Sequence, residues 1–337
     1  MNVGWGNGGR VAMRVGLLMA LGALWAVCSG TAPVSIAAER SEKPTNEPVA
    51  ESAEEPPEPV EGERRPLRSR LLGATPEERA RLQAERERLS EIAAENGTDP
   101  TAIIGLYQLS YGHTAFTNNL RLDSATAVAR LPITPNLLLR VTMPYVWADL
   151  NGPRGFTTNG ASDMAVRLGG RLYASPNVAL FVGTDALFPT ASEKQLGTGK
   201  YTLGPGGAVA VPLPRLRSLL FVVIEDVNSV GGDPSRASFH YMQVQTIINT
   251  IWSERWWTVL QPQWFVDWDN RRKTTMILGA EVGHRLAGEW RLFVQPGVGV
   301  MGRDTPLGVD WTVQAGVRWM FETPIFSQTF REKLFGN

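Results

Sequence analysis

Few residues in this chain are spaced for catalysis. It holds three histidines and one cysteine in 337 residues. No two histidines stand four apart, the spacing that sets two imidazoles on one helix face around a metal, so no metal site and no cofactor is expected. Cys28 lies in the N-terminal apolar region and leaves the rest of the chain without disulfide or thiolate chemistry. The glycines Gly160, Gly169, Gly170, Gly204, Gly206 and Gly207 lie in or beside strand-like segments, with no strand-to-helix turn that would cradle phosphate. Ser238 and His240 lie two apart and would share one face of an extended segment. A hydrolase needs nucleophile and base in hydrogen-bond contact, which that spacing does not supply. They are read as interfacial polar residues, and no catalytic residue is assigned.

The stronger chemical signal is a set of charges and amides that alternate with apolar neighbours. It comprises Arg140, Arg167, Arg171, Arg285, Arg291 and Arg318 with Asp163, Asp185, Asp267, Glu281 and Asp310, and the amides Gln261, Gln263, Gln295 and Gln314. Mixed signs on one face can line a hydrated lumen or pair into a filled interior. Lysine plus arginine equals aspartate plus glutamate, 33 each, which argues against a nucleic-acid partner.

These residues are positioned by strands. From Val309 to Phe321, Val309, Trp311, Val313, Ala315, Val317, Trp319 and Phe321 alternate with Asp310, Thr312, Gln314, Gly316, Arg318 and Met320. Only a strand changes face at every residue, and one wholly apolar face opposite a polar one suits lipid on one side and a lumen on the other. Twelve such segments are expected, with cores near 103–112, 120–131, 137–149, 162–173, 177–188, 200–211, 218–227, 238–250, 255–268, 274–286, 290–301 and 309–321. Connections alternate short and long, as in barrels with short periplasmic turns and longer external loops. Of eleven tryptophans most fall near segment ends. Trp147, Trp256, Trp264, Trp268, Trp290, Trp311 and Trp319, with Phe321, are read as membrane-interface aromatics. A soluble sandwich would bury such rings, so the expected fold is all-β: a twelve-stranded antiparallel transmembrane β-barrel over 102–321.

Residues 1–38 read as a cleavable signal peptide: Arg10 and Arg14 precede the run from Val15 to Val27, too short for a span of about 20 residues. Cleavage is expected after Ala37 or Ala38. The stretch 39–74 is a Glu/Pro-rich disordered linker. A helix over 75–96 starts with Thr75-Pro76-Glu77-Glu78, and its sparse Leu82, Leu89 and Ile92 predict a solvated helix. Residues 322–337 would form a periplasmic tail.

Three groups of residues carry a resemblance. Gly160-Ala161-Ser162-Asp163 opens a strand, Ala186-Leu187-Phe188-Pro189-Thr190-Ala191 closes the next, and Leu196-Gly197-Thr198-Gly199-Lys200-Tyr201-Thr202-Leu203-Gly204-Pro205 follows. Together these resemble the outer-membrane transporters grouped with the meta-pathway of phenol degradation, over roughly residues 100 to 321. Ala191 stands where that family usually has glycine. The resemblance implies an outer-membrane barrel that moves small, hydrophobic or aromatic molecules, and supplies no catalytic residues. The Ser238/His240 pair is similar in type to that of outer-membrane phospholipase A, with the order reversed. The expected function is thus a passive channel or transporter in the outer membrane. The alternatives are an anchor with a filled lumen and, more weakly, a lipid hydrolase. Expected partners are outer-membrane lipid, the barrel assembly machinery, a small-molecule solute and a periplasmic partner of the N-terminal extension.

Overall fold

A computed structural model describes residues 75–321, apart from 118, 153–154, 270 and 303–307. The expected signal peptide, linker and C-terminal tail lie outside the described residues. The chain begins with a helix, α1 (Pro76–Glu95). Thr75 Oγ1 accepts from the Glu78 amide at 3.2 Å, which caps the first turn. At the other end Gly97 takes a left-handed φ of 69° and turns the chain inward.

Thirteen strands follow: β1 (Gly105–Phe116), β2 (Leu120–Thr134), β3 (Leu137–Leu150), β4 (Phe156–Ala161), β5 (Met164–Ala174), β6 (Ala179–Phe188), β7 (Lys200–Leu213), β8 (Ser218–Gly232), β9 (His240–Ile251), β10 (Trp256–Asp267), β11 (Lys273–Arg285), β12 (Trp290–Met301) and β13 (Val309–Phe321). Every pairing between them is antiparallel, and β1 pairs with both β2 and β13, so the sheet closes on itself. Both β4 and β5 pair with β3, at Tyr145–Leu150 and Leu137–Thr142 respectively. They are two halves of one stave broken at Ser162 and Asp163. The barrel therefore has twelve staves, as the alternation predicts. The expected segment 162–173 is only the second half of the broken one.

Closure pairs the staves on both sides, with only the short β4 at the loop end paired on one side alone; an apolar exterior requires this because lipid offers no hydrogen bonds. The connections at one end, 135–136, 175–178, 214–217, 252–255 and 286–289, are two to four residues long. At the opposite end they reach eleven residues, at 189–199. β1 starts and β13 finishes at the turn end.

The outer face is apolar, with Leu109 59% and Met143 57% exposed. Aromatic rings ring both margins. Tyr107 stacks on Trp319 at 5.8 Å and on Phe321 at 5.1 Å at the turn end, where Trp256 and Trp290 are also exposed. At the loop end stand Trp147, Trp268 and Trp311, and Trp264 lies deeper, four residues in from Trp268. Trp311 and Trp319 lie eight residues apart on β13. At about 3.3 Å per residue and a tilt of about 40°, that is roughly 20 Å along the axis, near the ~25 Å apolar band of membrane barrels. Val309 departs from the expected pattern. A register irregularity beside Ala115 and Phe116 turns it inward, where it is buried.

The interior is layered. Toward the turn end Ala210, Leu219, Phe221, Ile247, Ile251, Trp257 and Val259 form an apolar ring around the end of α1. Toward the loop end Phe116, Leu120, Leu122, Val146, Leu187, Leu196, Phe239, Tyr241, Phe265 and Ile277 form another. Between them the inward positions mix polar side chains and glycine with a few apolar ones, Val128, Phe181 and Phe293 among them. Two of these glycines make room for large rings: a Cβ on Gly283 would collide with the Trp257 indole, and one on Gly316 with Phe293. Gly283→Val should therefore displace Trp257 and destabilise the barrel by about 1–3 kcal/mol. The readout is the temperature at which the protein loses its folded mobility on a gel. An unchanged transition would show that Trp257 does not depend on that space.

Candidate functional site

The middle layer holds two charged clusters. Arg318 on β13 reaches over β12 to Glu281 on β11, giving Nη1–Oε1 3.0 Å and Nη2–Oε2 2.7 Å. Its Nε donates to Gln108 Oε1 at 2.9 Å, and its guanidinium lies 4.1 Å from the Phe293 ring centre. Trp257 Nε1 donates to Glu281 Oε1 at 2.8 Å, so the carboxylate receives three bonds. Across the lumen Arg167 pairs with its cross-strand partner Asp185 and with Glu225 of β8, the latter at 2.9 Å. Glu225 reaches it past β7, where Gly204 and Gly206 leave the space.

The strand register adds an unusual row. Arg130 of β2 stands opposite Arg140 of β3, which stands opposite Arg167 of β5. Like charges directly opposite one another destabilise a sheet. The row persists because acceptors surround it. Arg130 Nη2 donates to Ala102 O at 3.0 Å and Asp99 O at 3.5 Å, while Arg167 has its two carboxylates. A cavity of about 120 Å³ lies among Arg130, Arg140, Arg167, Arg318, Glu225, Glu281 and the amides of Gln108, Gln243, Gln245 and Gln261.

The floor of that cavity is the chain just after α1, with Gly97, Thr98 and Pro100 facing it. This corrects the reading of a solvated helix. The first turns of α1 are indeed exposed, but Leu89, Ile92 and Ala93 are buried against Leu219, Phe221, Ile247, Ile251 and Trp257. A stripe too narrow for a coiled coil is wide enough to stopper a barrel mouth. Polar bonds complete the docking. Arg285 pairs with Glu95 at 2.7 Å, Asn249 Nδ2 donates to Thr98 Oγ1 at 2.6 Å, and Arg171 Nε donates to Thr101 O at 3.3 Å. Asp99 is buried beside them; burial pushes its carboxyl above the ordinary 3.8, against two bonds from Thr101 and the nearby Arg130 and Arg171.

The roof is built by the three sequence motifs that carry the family resemblance. Asp163, at the break in the fourth stave, accepts from Thr198 N at 2.7 Å, Thr198 Oγ1 at 2.8 Å and Ala191 N at 3.2 Å. Ser162 Oγ donates to Leu196 O at 2.6 Å. This knot folds the 189–199 loop inward and seats Leu196 in the apolar layer, fully buried. A side chain on Gly197 would strike Asp163 and Ala191. Asp163 thus belongs to the roof and is not a charge on the lumen wall.

The remaining expected lumen residues divide by level. Arg140, Arg167, Gln261, Glu281 and Arg318 surround the cavity, with Asp185 behind Arg167. Gln263, Gln295 and Gln314 are buried on the inner wall, and Gln314 Nε2 donates to Ser110 Oγ at 2.8 Å. Arg171 and Arg285 hold the plug, and Arg291 is buried at the turn end, bonded to Gly288 O at 3.1 Å. Asp267 and Asp310 are half-buried near the loop end. Unanticipated members are Arg130, Gln108, Gln243, Gln245 and Glu225. The register opposite Arg140 would have found Arg130; Glu225 sits in a run apolar on both faces, which hid its direction. Ser238 lies before β9 and makes no hydrogen bond to His240, whose Nε2 is held instead by Asp226 at 2.9 Å. Nucleophile and base are not coupled.

Two predictions follow from the buried charges. Glu281→Leu alone should cost about 3–5 kcal/mol by stranding Arg318, whereas pairing it with Arg318→Met should recover much of that loss. A double variant as unstable as the sum of the singles would mean the pair acts independently of its partner. For Asp99, a carboxyl raised in the folded state contributes stability that is fully present below pH 3.8 and lost as pH rises through the raised value. Wild type and Asp99→Asn should melt alike in acid, with the wild type falling behind as pH rises. A wild type that instead gains on the variant would show that pairing with Arg130 outweighs burial.

No family model and no curated protein sequence matches the chain. Among solved structures it is similar to the KdgM porin in complex with disordered oligogalacturonate, at 7% identity and a TM-score of 0.43 over 64% of this chain and 99% of that one. The NanC porin gives 9% identity and a TM-score of 0.46 over 64% of this chain and all of that one. Outer membrane phospholipase A from Escherichia coli gives 13% and 0.40 over 68% and 97%. At these scores the likeness supports no inference about activity, and the barrel assignment rests on the closed strand pairing itself.

Proposed function

We propose that the chain is a gated outer-membrane passage for small molecules, held closed by α1 and the segment that follows it. The observation that carries this reading is the charged belt. A barrel that served only as an anchor could fill its lumen with apolar side chains, since replacing buried ion pairs by well-packed apolar residues is often neutral or stabilising. Here the middle of the lumen instead keeps paired charges, a cavity of about 120 Å³, and a Gln295 amide that is fully buried without a hydrogen-bond partner among the described residues. The apolar outer face and its two aromatic margins suit lipid, with the turn end toward the periplasm. The resemblance to phenol meta-pathway transporters would add an aromatic cargo to this reading.

One observation favours the second reading, an anchor: apolar layers occupy both ends of the lumen. A lipid hydrolase has less behind it, because Ser238 and His240 are not coupled. Conductance in planar bilayers separates the first two. The intact protein should be mostly silent, with rare openings. Leu89→Asp with Ile92→Asp removes two buried side chains from the docking face, each worth about 1.5–3 kcal/mol, and should raise open time roughly a hundredfold or more. Silence of both proteins, with barrel folding confirmed by gel mobility, would favour the anchor.

A further inference from the structure

The belt is unbalanced around its cavity. Four guanidinium groups, of Arg130, Arg140, Arg167 and Arg318, face it, against the carboxylates of Glu225 and Glu281 and, behind Arg167, that of Asp185. Three of the four lie in one cross-strand row, an arrangement a sheet does not keep without acceptors. The side-chain nitrogen of Gln245, on the same cavity wall and only 3% exposed, is a buried donor without a partner among the described residues. The site is therefore rich in donors. Its volume of about 120 Å³ is somewhat below the ~150 Å³ of an apolar cavity that takes up benzene.

Two of these arginines also hold the plug. Arg130 donates to the carbonyls of Asp99 and Ala102, and Arg318 Nη1 to that of Asn96 at 3.5 Å. The plug thus presents backbone carbonyls to the same guanidinium groups that face the cavity. Carbonyls are the weaker acceptors: a carboxylate brings a full negative charge and takes two parallel bonds from one guanidinium. Because Gly97, Thr98 and Pro100 form the cavity floor, a molecule lodged there lies directly against the plug.

We propose that a small organic carboxylate is the ligand of this cavity and that it releases the plug by taking the guanidinium bonds now given to the plug carbonyls. This rests on the gated-passage reading and names its solute class and trigger. The carboxylate binds the plug-out state more tightly, because only there are the Arg130 bonds and the Arg318 Nη1 bond to the plug carbonyls freed for it, and so shifts the balance toward opening. Glu225 and Glu281 remain paired with Arg167 and Arg318 and set a limit on anion size and charge, so monocarboxylates fit best.

The test places a thiol on the docked face of α1. Ile92→Cys, in a chain with Cys28→Ser, is followed by its rate of reaction with a polar maleimide in the folded, full-length protein. Acetate and benzoate should each raise the rate about fivefold or more over chloride at equal ionic strength, the lower range of ordinary coupling between sites. Acetamide and benzamide, of the same shapes without charge, should not. Ala93→Cys serves as the second reporter if the first variant folds poorly. Equal acceleration by benzamide would overturn the anion assignment in favour of an aromatic ligand. No acceleration by either carboxylate would also overturn it, while opening of the Leu89→Asp, Ile92→Asp barrel in bilayers would leave the passage itself standing. A thiol that reacts in chloride alone as fast as in denaturant would show the plug unseated and overturn both.

Discussion

A guanidinium drawn out of water must find acceptors, and the inside of this barrel is arranged around four, Arg318 buried and Arg130, Arg140 and Arg167 half-buried. Desolvating each such ion costs several kcal/mol even after relaxation, so unpaired arginines in this lumen would not be tolerated. Two carboxylates answer Arg167, one answers Arg318, and the carbonyls of an inserted segment answer Arg130 and part of Arg318. The plug is thereby a component of the charge balance as well as an apolar stopper. The same constraint explains the glycines on the inner wall. Gly204 and Gly206 clear the path between Glu225 and Arg167, and Gly316 lets Phe293 lie against the wall beneath the Arg318 guanidinium.

Much of this architecture was legible in the sequence because a strand has period two and lipid tolerates no polar side chains in its middle. Segments such as Trp290–Met301 and, Val309 apart, Val309–Phe321 therefore announce their faces, and the structure places Arg291, Gln295, Gln314 and Arg318 inward as their parity requires. The fourth stave was only half visible. Gly160 and Asp163 look like ordinary turn chemistry until the 189–199 loop is known to fold back onto them.

The plug was the larger gap, for a physical reason. Helix amphipathicity measures the width of a stripe, and α1 buries only Leu89, Ile92 and Ala93. Three residues make a poor stripe on an open surface and a sufficient one inside a ring of apolar side chains. The rest of the docking is through Glu95, Thr98 and backbone carbonyls, which carry no periodic signal. Arg130 could have been placed inward by its register opposite Arg140, but its bonds to the plug carbonyls appear only in the folded chain.

The two caps of the lumen are held in different ways. The roof is continuous with the wall: Asp163 and Ser162 tie it through the break in a stave, and ten or more inward side chains from most of the strands interlock there. Opening it would strip those side chains from one another and unmake the knot that holds the 189–199 loop. The floor is a separate segment inserted into a finished barrel. Its withdrawal would break no strand pairing, and the groups it leaves behind, Arg130, Arg171 and Arg285, are ones that water or an anion can serve. On the gated-passage proposal, opening falls at the plug, because its polar partners can be replaced without taking the wall apart.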